Sequence, residues 1–246
     1  LSVLLVLLFS VCLVYAGGQQ EEGTGQAQEK AKEPAQETTQ DTLVYATTEK
    51  VTDMDPANAY DFHTWELFRN ISEGLLKYKP GTTELQPGLA KDYSVNDAGD
   101  VYTFELREGL KFSDGSEFSA DDVVWSIERV MDLAGDPSWL VTDFVESVEA
   151  VDEYTVRFNL KQPVGFFPSL VATVPYFPQN PDIFPVDDFV NNPDELEGGE
   201  LSGVGPYRIV SFKRDEEVML ERNPEYYGDP APVKRVVIRY YADATT

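Results

Sequence analysis

Among the 246 residues of this chain there is one cysteine, Cys12, and one histidine, His63. A lone cysteine closes no disulfide within the chain and builds no Cys-rich zinc site. Ser–His and Cys–His catalytic pairs would all have to use His63, and no His-Glu-x-x-His run is present to hold a catalytic zinc. Basic residues are also scarce. Against 44 Asp and Glu there are only 19 Lys and Arg, a formal charge of −25. Nucleic acid and anionic membrane are excluded as partners on that ground, because phosphate binding needs clustered cations. The acidic surplus reads as a solubility feature of an exposed or salty compartment, with an acidic cation site as the alternative. Paired-carboxylate hydrolysis stays open, because acids are abundant and their spacing in space is invisible from sequence.

The long apolar run stops at residue 16. Residues 1–16 are too few for a membrane span but match the hydrophobic core of a secretory signal. Val14-Tyr15-Ala16 ahead of Gly17-Gly18 has the small-residue spacing of a cleavage site. Cys12 is the alternative, as an acylated lipoprotein cysteine, although Phe9-Ser10-Val11 makes a poor lipobox. Residues 17–42 follow as a disordered tether: 19–42 carry no aromatic or branched aliphatic side chain and cannot bury enough apolar area to offset the entropy of ordering. The chain opens on Leu1 rather than Met, and a strand-like run reaches nearly to its end, so a portion of a longer protein is expected.

What remains alternates between periods of two and of 3.6. Leu43-Val44-Tyr45-Ala46 reads as a strand, and Asp55-Pro56 as a turn, since proline bars the residue before it from helix. Asp61 caps a helix whose face is Thr64, Leu67, Phe68 and Ile71, with Gly74 as its stop. Residues 101–130 are the most legible stretch. Tyr102, Phe104 and Leu106 alternate with polar residues, Ser113-Asp114-Gly115-Ser116 turns, and Ser119 with Asp122 forms a capping box. The helix that follows places Val123, Ile127, Val130 and Met131 on one face and ends at Ala134-Gly135. Residues 145–160 read as a hairpin turning at Asp152-Glu153, and 166–171 as a short helix. Residues 174–185, rich in Pro and aromatics, are expected to run irregularly over a surface. Residues 187–200 form an acidic loop without the spacing of a calcium site.

Phe104 to Ser126 spells F-x-L-R-x-G-x-K-F-x-D-G-x-x-F-x-A-x-D-V-x-x-S. It resembles the signature of the family 5 solute-binding proteins, the extracytoplasmic receptors of ABC importers for peptides, nickel chelates and related ligands. A second segment is similar to the same family: Gly203-Val204-Gly205-Pro206-Tyr207, a charged turn at 213–217, then Leu220-Glu221-Arg222-Asn223-Pro224-Glu225-Tyr226-Tyr227-Gly228. Gly203-x-Gly205 is no nucleotide loop, because a strand rather than a helix follows it. The resemblance covers nearly all of 43–241. It implies an α/β fold of the class II periplasmic-binding-protein type, here as its N-terminal part, with the second lobe absent from this chain. Residues 43–76 and 201–246 would form two segments of the first lobe, and 77–200 a subdomain.

The resemblance also implies the function: an extracytoplasmic receptor, not an enzyme, that captures peptides or a related small solute in an interlobe cleft and delivers them to ABC permease subunits. It would act as a monomer, without cofactor or metal, and be tethered to the membrane where the leader is not cleaved. A nickel chelate or oligosaccharide is the alternative ligand, and a carbohydrate-active hydrolase using paired carboxylates the alternative class. Residues just after the Asp-Pro step line the ligand cleft in the family, which points to Tyr60, Asp61 and Phe62. The residues alone leave core packing open for both aromatics, and His63 beside them reads as a surface or satisfied helix-start histidine rather than a ligand. Trp139 sits in a connection flanked by Pro137 and Ser138, off any periodic face, as ligand platforms often do, with a lid over the local core as the alternative; nickel-chelate receptors of the family use a tryptophan there. Tyr176 completes the expected ligand-binding set.

Overall fold

The computed structural model describes residues 41–191 and 201–243. The expected leader, the tether as far as residue 40, and residues 192–200 of the acidic loop lie outside the described residues.

The chain enters by β1 (Thr42–Thr47) and passes the Asp55-Pro56 turn into α1 (Phe62–Ile71). The two-stranded ladder of β2 (Leu76–Tyr78) and β3 (Leu85–Pro87) leads to β4 (Ala90–Val95) and β5 (Val101–Leu106). After α2 (Ala120–Leu133) and the single turn α3 (Trp139–Thr142) come β6 (Val145–Asp152) and β7 (Thr155–Leu160). Then follow α4 (Phe167–Leu170), β8 (Tyr207–Lys213), β9 (Glu217–Arg222) and β10 (Arg235–Tyr240). Two four-stranded sheets result. One has the order β4-β5-β7-β6 and is antiparallel throughout; the other has the order β1-β10-β9-β8, with β1 parallel to β10. The second sheet thus joins residues from both ends of the described chain, whereas the first is local.

Each sheet buries one apolar set. Tyr102, Phe104 and Leu106 of β5 turn inward with Val156, Phe158 and Leu160 of β7, and α2 covers them with Val123, Ile127 and Val130. The period-two and period-3.6 patterns meet here because the helix face and the sheet face are each apolar on one side only. Asp122 accepts a hydrogen bond from the Ser119 amide at 2.7 Å, which opens α2, and Ala134 ends it in the left-handed region at φ 50°. The second cluster gathers Leu67, Phe68 and Ile71 of α1 against Val218, Leu220 and Ile238 of the other sheet. Each such side chain stabilises the fold by about 1.5–3 kcal/mol through area removed from water.

Two expectations change. Helix α1 stops before Gly74: its cap is Ser72, whose amide donates to the Phe68 carbonyl at 2.7 Å. Residues 174–180 do not run over a surface but are buried throughout. Val174 and Phe177 join one apolar cluster and Tyr176 the other. The segment is tied in by polar contacts: the Gln179 backbone N–H donates to Ser126 Oγ at 2.8 Å, and Asn180 Nδ2 to Asp114 Oδ2 at 2.8 Å, while Gln179 Nε2 is buried without a partner among the described residues. The segment is therefore a tie between the clusters. Gly203 and Gly205 of the second motif are seated against the end of α1. A Cβ on Gly203 would lie 2.2 Å from the Ile71 carbonyl oxygen, and the Gly205 amide donates to that oxygen at 3.0 Å.

The second motif has a physical reason too. Tyr226 donates to Glu73 Oε2 at 3.1 Å, Tyr227 donates to Glu73 Oε1, and Lys77 Nζ lies 3.0 Å from the same oxygen. Burial and the adjoining Glu73 charge push both phenols above their ordinary pKa, so they stay protonated donors. They hold the β9–β10 connection to the chain just past α1.

Candidate ligand-binding site

The site begins with the Asp55-Pro56 turn. Asp55 is fully buried and its carboxylate accepts from the Ala57 amide (2.8 Å) and the Val190 amide (2.9 Å). Arg129 of α2 meets it in a two-pronged pair, Nη1 to Oδ1 at 2.9 Å and Nη2 to Oδ2 at 2.7 Å. The rest of the guanidinium is used up by Gln179 Oε1 (2.5 Å), the Pro185 carbonyl (2.6 Å) and the Asp188 carbonyl (2.7 Å). A buried charge pair is tolerable only when its remaining hydrogen-bonding positions are filled in this way. The pair fixes the chain that leads to Tyr60.

At Asp61 the chain turns into α1, and the Asp61 side chain accepts from the Thr64 amide at 2.8 Å and from the Thr52 hydroxyl. Phe62, first residue of the helix, is 91% exposed. Trp65 lies off the buried stripe of α1 and donates its indole N–H to the Ala59 carbonyl at 2.7 Å. Trp139 arrives from the other side on α3. It is brought there by the α2–α3 connection, where a Cβ on Gly135 would lie 2.2 Å from the Ala57 carbonyl oxygen. Tyr60 stands between the two indoles: 5.9 Å from Trp65 at an interplanar angle of 56°, and 6.5 Å from Trp139 at 84°. These rings, with Asp61, Phe62, Leu140 and Thr173, line an open groove of about 420 Å³. Tyr60 and Trp139 are 52% and 44% exposed, so neither ring is spent on the core.

Because no side chain fits between Gly135 and Ala57, Gly135→Ala is expected to cost about 1–3 kcal/mol and to move α3 away from Tyr60. Urea unfolding measures the first effect. Altered tryptophan emission near the native baseline reports the second.

Of the five residues expected to bind ligand, four share this groove: Tyr60, Asp61, Phe62 and Trp139. Tyr176 does not. It is 1% exposed, packs against Phe158 and Phe167, and donates its hydroxyl to the Leu140 carbonyl at 2.9 Å. An aromatic in a proline-broken segment reads the same whether the segment is buried or exposed, and here the core claims it. Trp65, Leu140 and Thr173 were not foreseen. For Trp65 a signal exists, an aromatic off the apolar stripe of an amphipathic helix; the other two carry none. His63 is buried at the helix start, its Nε2 3.4 Å from the Tyr240 hydroxyl.

The charged side chain lining the groove is Asp61, with Asp53 nearby. Burial holds the Asp53 carboxyl above the ordinary carboxylate range; Arg214 opposes this, and Asp61 and Asp136 reinforce it. Among the described residues, no group of three or more His, Cys, Asp or Glu is placed to hold a metal ion.

The α/β scaffold that carries this open aromatic wall has the fold of the periplasmic binding proteins. The chain superposes on the ABC transporter-associated periplasmic binding protein DppA from Helicobacter pylori, solved in complex with the peptide STSA. The TM-score is 0.74 at 29% sequence identity, over 85% of this chain and 44% of that one. The family model described as bacterial extracellular solute-binding proteins, family 5 Middle, matches residues 84–246, and the chain belongs to that family. Curated relatives include heme-binding protein A of Haemophilus influenzae, 28% identical over 244 residues, covering 88% of this chain and 43% of the relative. Di/tripeptide-binding protein 4 of Pseudomonas aeruginosa is 32% identical over 195 residues, covering 69% of this chain and 35% of that protein. The chain thus spans well under half the length of these relatives.

Proposed function

We propose that this chain forms one wall of the ligand cleft of an extracytoplasmic receptor of an ABC importer, with short peptides as its ligands. The observation that carries the reading is the exposed Tyr60–Trp65–Trp139 groove at the start of α1: large rings left half open are a binding surface. Peptides are favoured over the alternatives because a di/tripeptide-binding protein and a peptide-bound DppA are among the relatives. The heme-binding relative keeps a flat, non-peptide ligand as a second reading.

In this reading residues 43–76 and 201–246 belong to the first lobe and 77–200 to a subdomain on it. A second lobe closes over the ligand in a population shift, and the closed form delivers it to the membrane permease. The receptor acts as a monomer outside the cytoplasm, tethered to the membrane if the leader is retained. It does no chemistry; family membership lends the paired-carboxylate hydrolase no support.

Thermal shift of the full-length protein against di-, tri- and tetrapeptides, nickel–histidine, heme and oligosaccharides tests the reading, with stabilisation expected from peptides. A shift with another class and none with any peptide would overturn it. Trp139→Ala is expected to weaken peptide binding by roughly tenfold or more, the size of an anchoring aromatic, with calorimetry as the measurement.

A further inference from the structure

The groove differs from a plain apolar slot in the attitude of its rings. Tyr60 meets Trp139 edge to face at 84° and Trp65 at 56°, and all three residues line the groove, so it is bordered by rings of more than one orientation. Stacked parallel, such rings would suit a flat ligand; set at steep angles, they form a corner. The face of an aromatic ring is the negative end of its quadrupole, and a cation within about 6 Å of it is attracted. Asp61 lines the same groove, and none of the side chains lining it is basic. Its carboxylate already accepts from Thr64 and Thr52, but two oxygens offer about four acceptor sites and the charge remains. Asp53, outside the lining, is near enough to feel the charges of Asp61 and Asp136, with Arg214 acting on it in the opposite sense. Arg214, the basic group facing Asp53, donates to the Thr52 carbonyl at 2.8 Å and to that of Asn191. At −25 the chain as a whole attracts cations at long range.

We propose that the Tyr60–Trp65–Trp139 corner, with Asp61 at its side, is a subsite for a positively charged group of the ligand, an alkylammonium, guanidinium or quaternary ammonium. The corner ranks solutes of equal size by charge: cationic first, neutral next, anionic last. This inference rests on the reading of the chain as a solute receptor. Cation–aromatic contacts of this kind are worth roughly two- to thirtyfold in affinity, more as water is excluded.

The test uses two matched pairs on the full-length protein. In calorimetry, Ala-Lys-Ala is compared with Ala-Nle-Ala, whose norleucine is lysine without its ammonium group. The lysine peptide is expected to bind about tenfold tighter, and Trp139→Leu to collapse that ratio while Ala-Nle-Ala changes less. Independently of peptides, choline is compared with its neutral carbon isostere, 3,3-dimethylbutan-1-ol, by quenching of tryptophan fluorescence, with Trp139→Leu as the control. If neither tripeptide binds but choline is preferred over the alcohol in a Trp139-dependent manner, the cation subsite stands and the peptide reading falls. If peptides bind with no lysine preference and choline gains nothing over the alcohol, the subsite is overturned and the peptide reading stands. No preference in either pair, with or without peptide binding, overturns the subsite.

Discussion

Arg129→Met is expected to lower the free energy of unfolding by about 3–5 kcal/mol, the usual cost of leaving one member of a buried ion pair alone. Methionine fills much of the volume, so the loss is chiefly electrostatic. Asp55 would keep its two amide donors, Ala57 and Val190, but lose both charged ones. The carbonyls of Pro185 and Asp188 and the Gln179 amide oxygen would lose their donor at the same time. Adding Asp55→Leu should regain part of the loss, because the stranded charge goes with it, yet not all, because those acceptors stay unmet. Equilibrium urea unfolding of wild type, both single variants and the double variant closes the cycle. A single-variant cost below about 1 kcal/mol would mean that water or another cation reaches Asp55. The expected consequence for function is indirect. Asp55 sets the turn that delivers Tyr60, so affinity for the proposed peptide ligand should fall in Arg129→Met even under conditions where it is fully folded.

That pair also marks where reading a sequence reaches its limit. Asp61 as a cap, the Thr64–Leu67–Phe68–Ile71 face, the alternation of Tyr102, Phe104 and Leu106, and the hairpin after Val145 were all legible, because each is decided by neighbours within a few residues. Asp55 and Arg129 are 74 residues apart, and no period connects them. Arg129 sits between Ile127 and Val130 on α2, where its charge argues for solvent; only the fold supplies the carboxylate that lets it be buried. Gly135 is similar: it reads as a helix terminator, while its lack of a side chain matters because Ala57 lies against it. In the groove, resemblance supplied Tyr60, Asp61 and Phe62, and an off-pattern position supplied Trp139. Their convergence with Trp65 depends on the α2–α3 connection crossing the Asp-Pro turn, a contact between distant segments.

The second large effect is expected at Phe167, which no motif singles out. Its ring is fully buried, 5.0 Å from Tyr102, 5.3 Å from Phe158 and 5.9 Å from Tyr176, centre to centre. Phe167→Ala should cost about 3–5 kcal/mol, the transfer energy of the lost ring plus the cavity it leaves. Surrounding strands β5 and β7 are pinned by their ladders and cannot collapse to fill that space. The helix α4 and the 174–176 turn can shift, and that is where function would be touched. Tyr176 leans on Phe167 and holds the Leu140 carbonyl at 2.9 Å, one residue beyond Trp139. Tyr176→Phe separates the two effects. It keeps the ring and removes only the hydroxyl, so it should cost about 1–3 kcal/mol for the stranded carbonyl and weaken ligand binding through α3 alone. If Phe167→Ala lost stability but bound the proposed ligand as tightly as wild type, and Tyr176→Phe did the same, α3 would be held by its own contacts with Tyr60 and the Asp-Pro turn. The aromatic core would then support the fold without setting the position of Trp139.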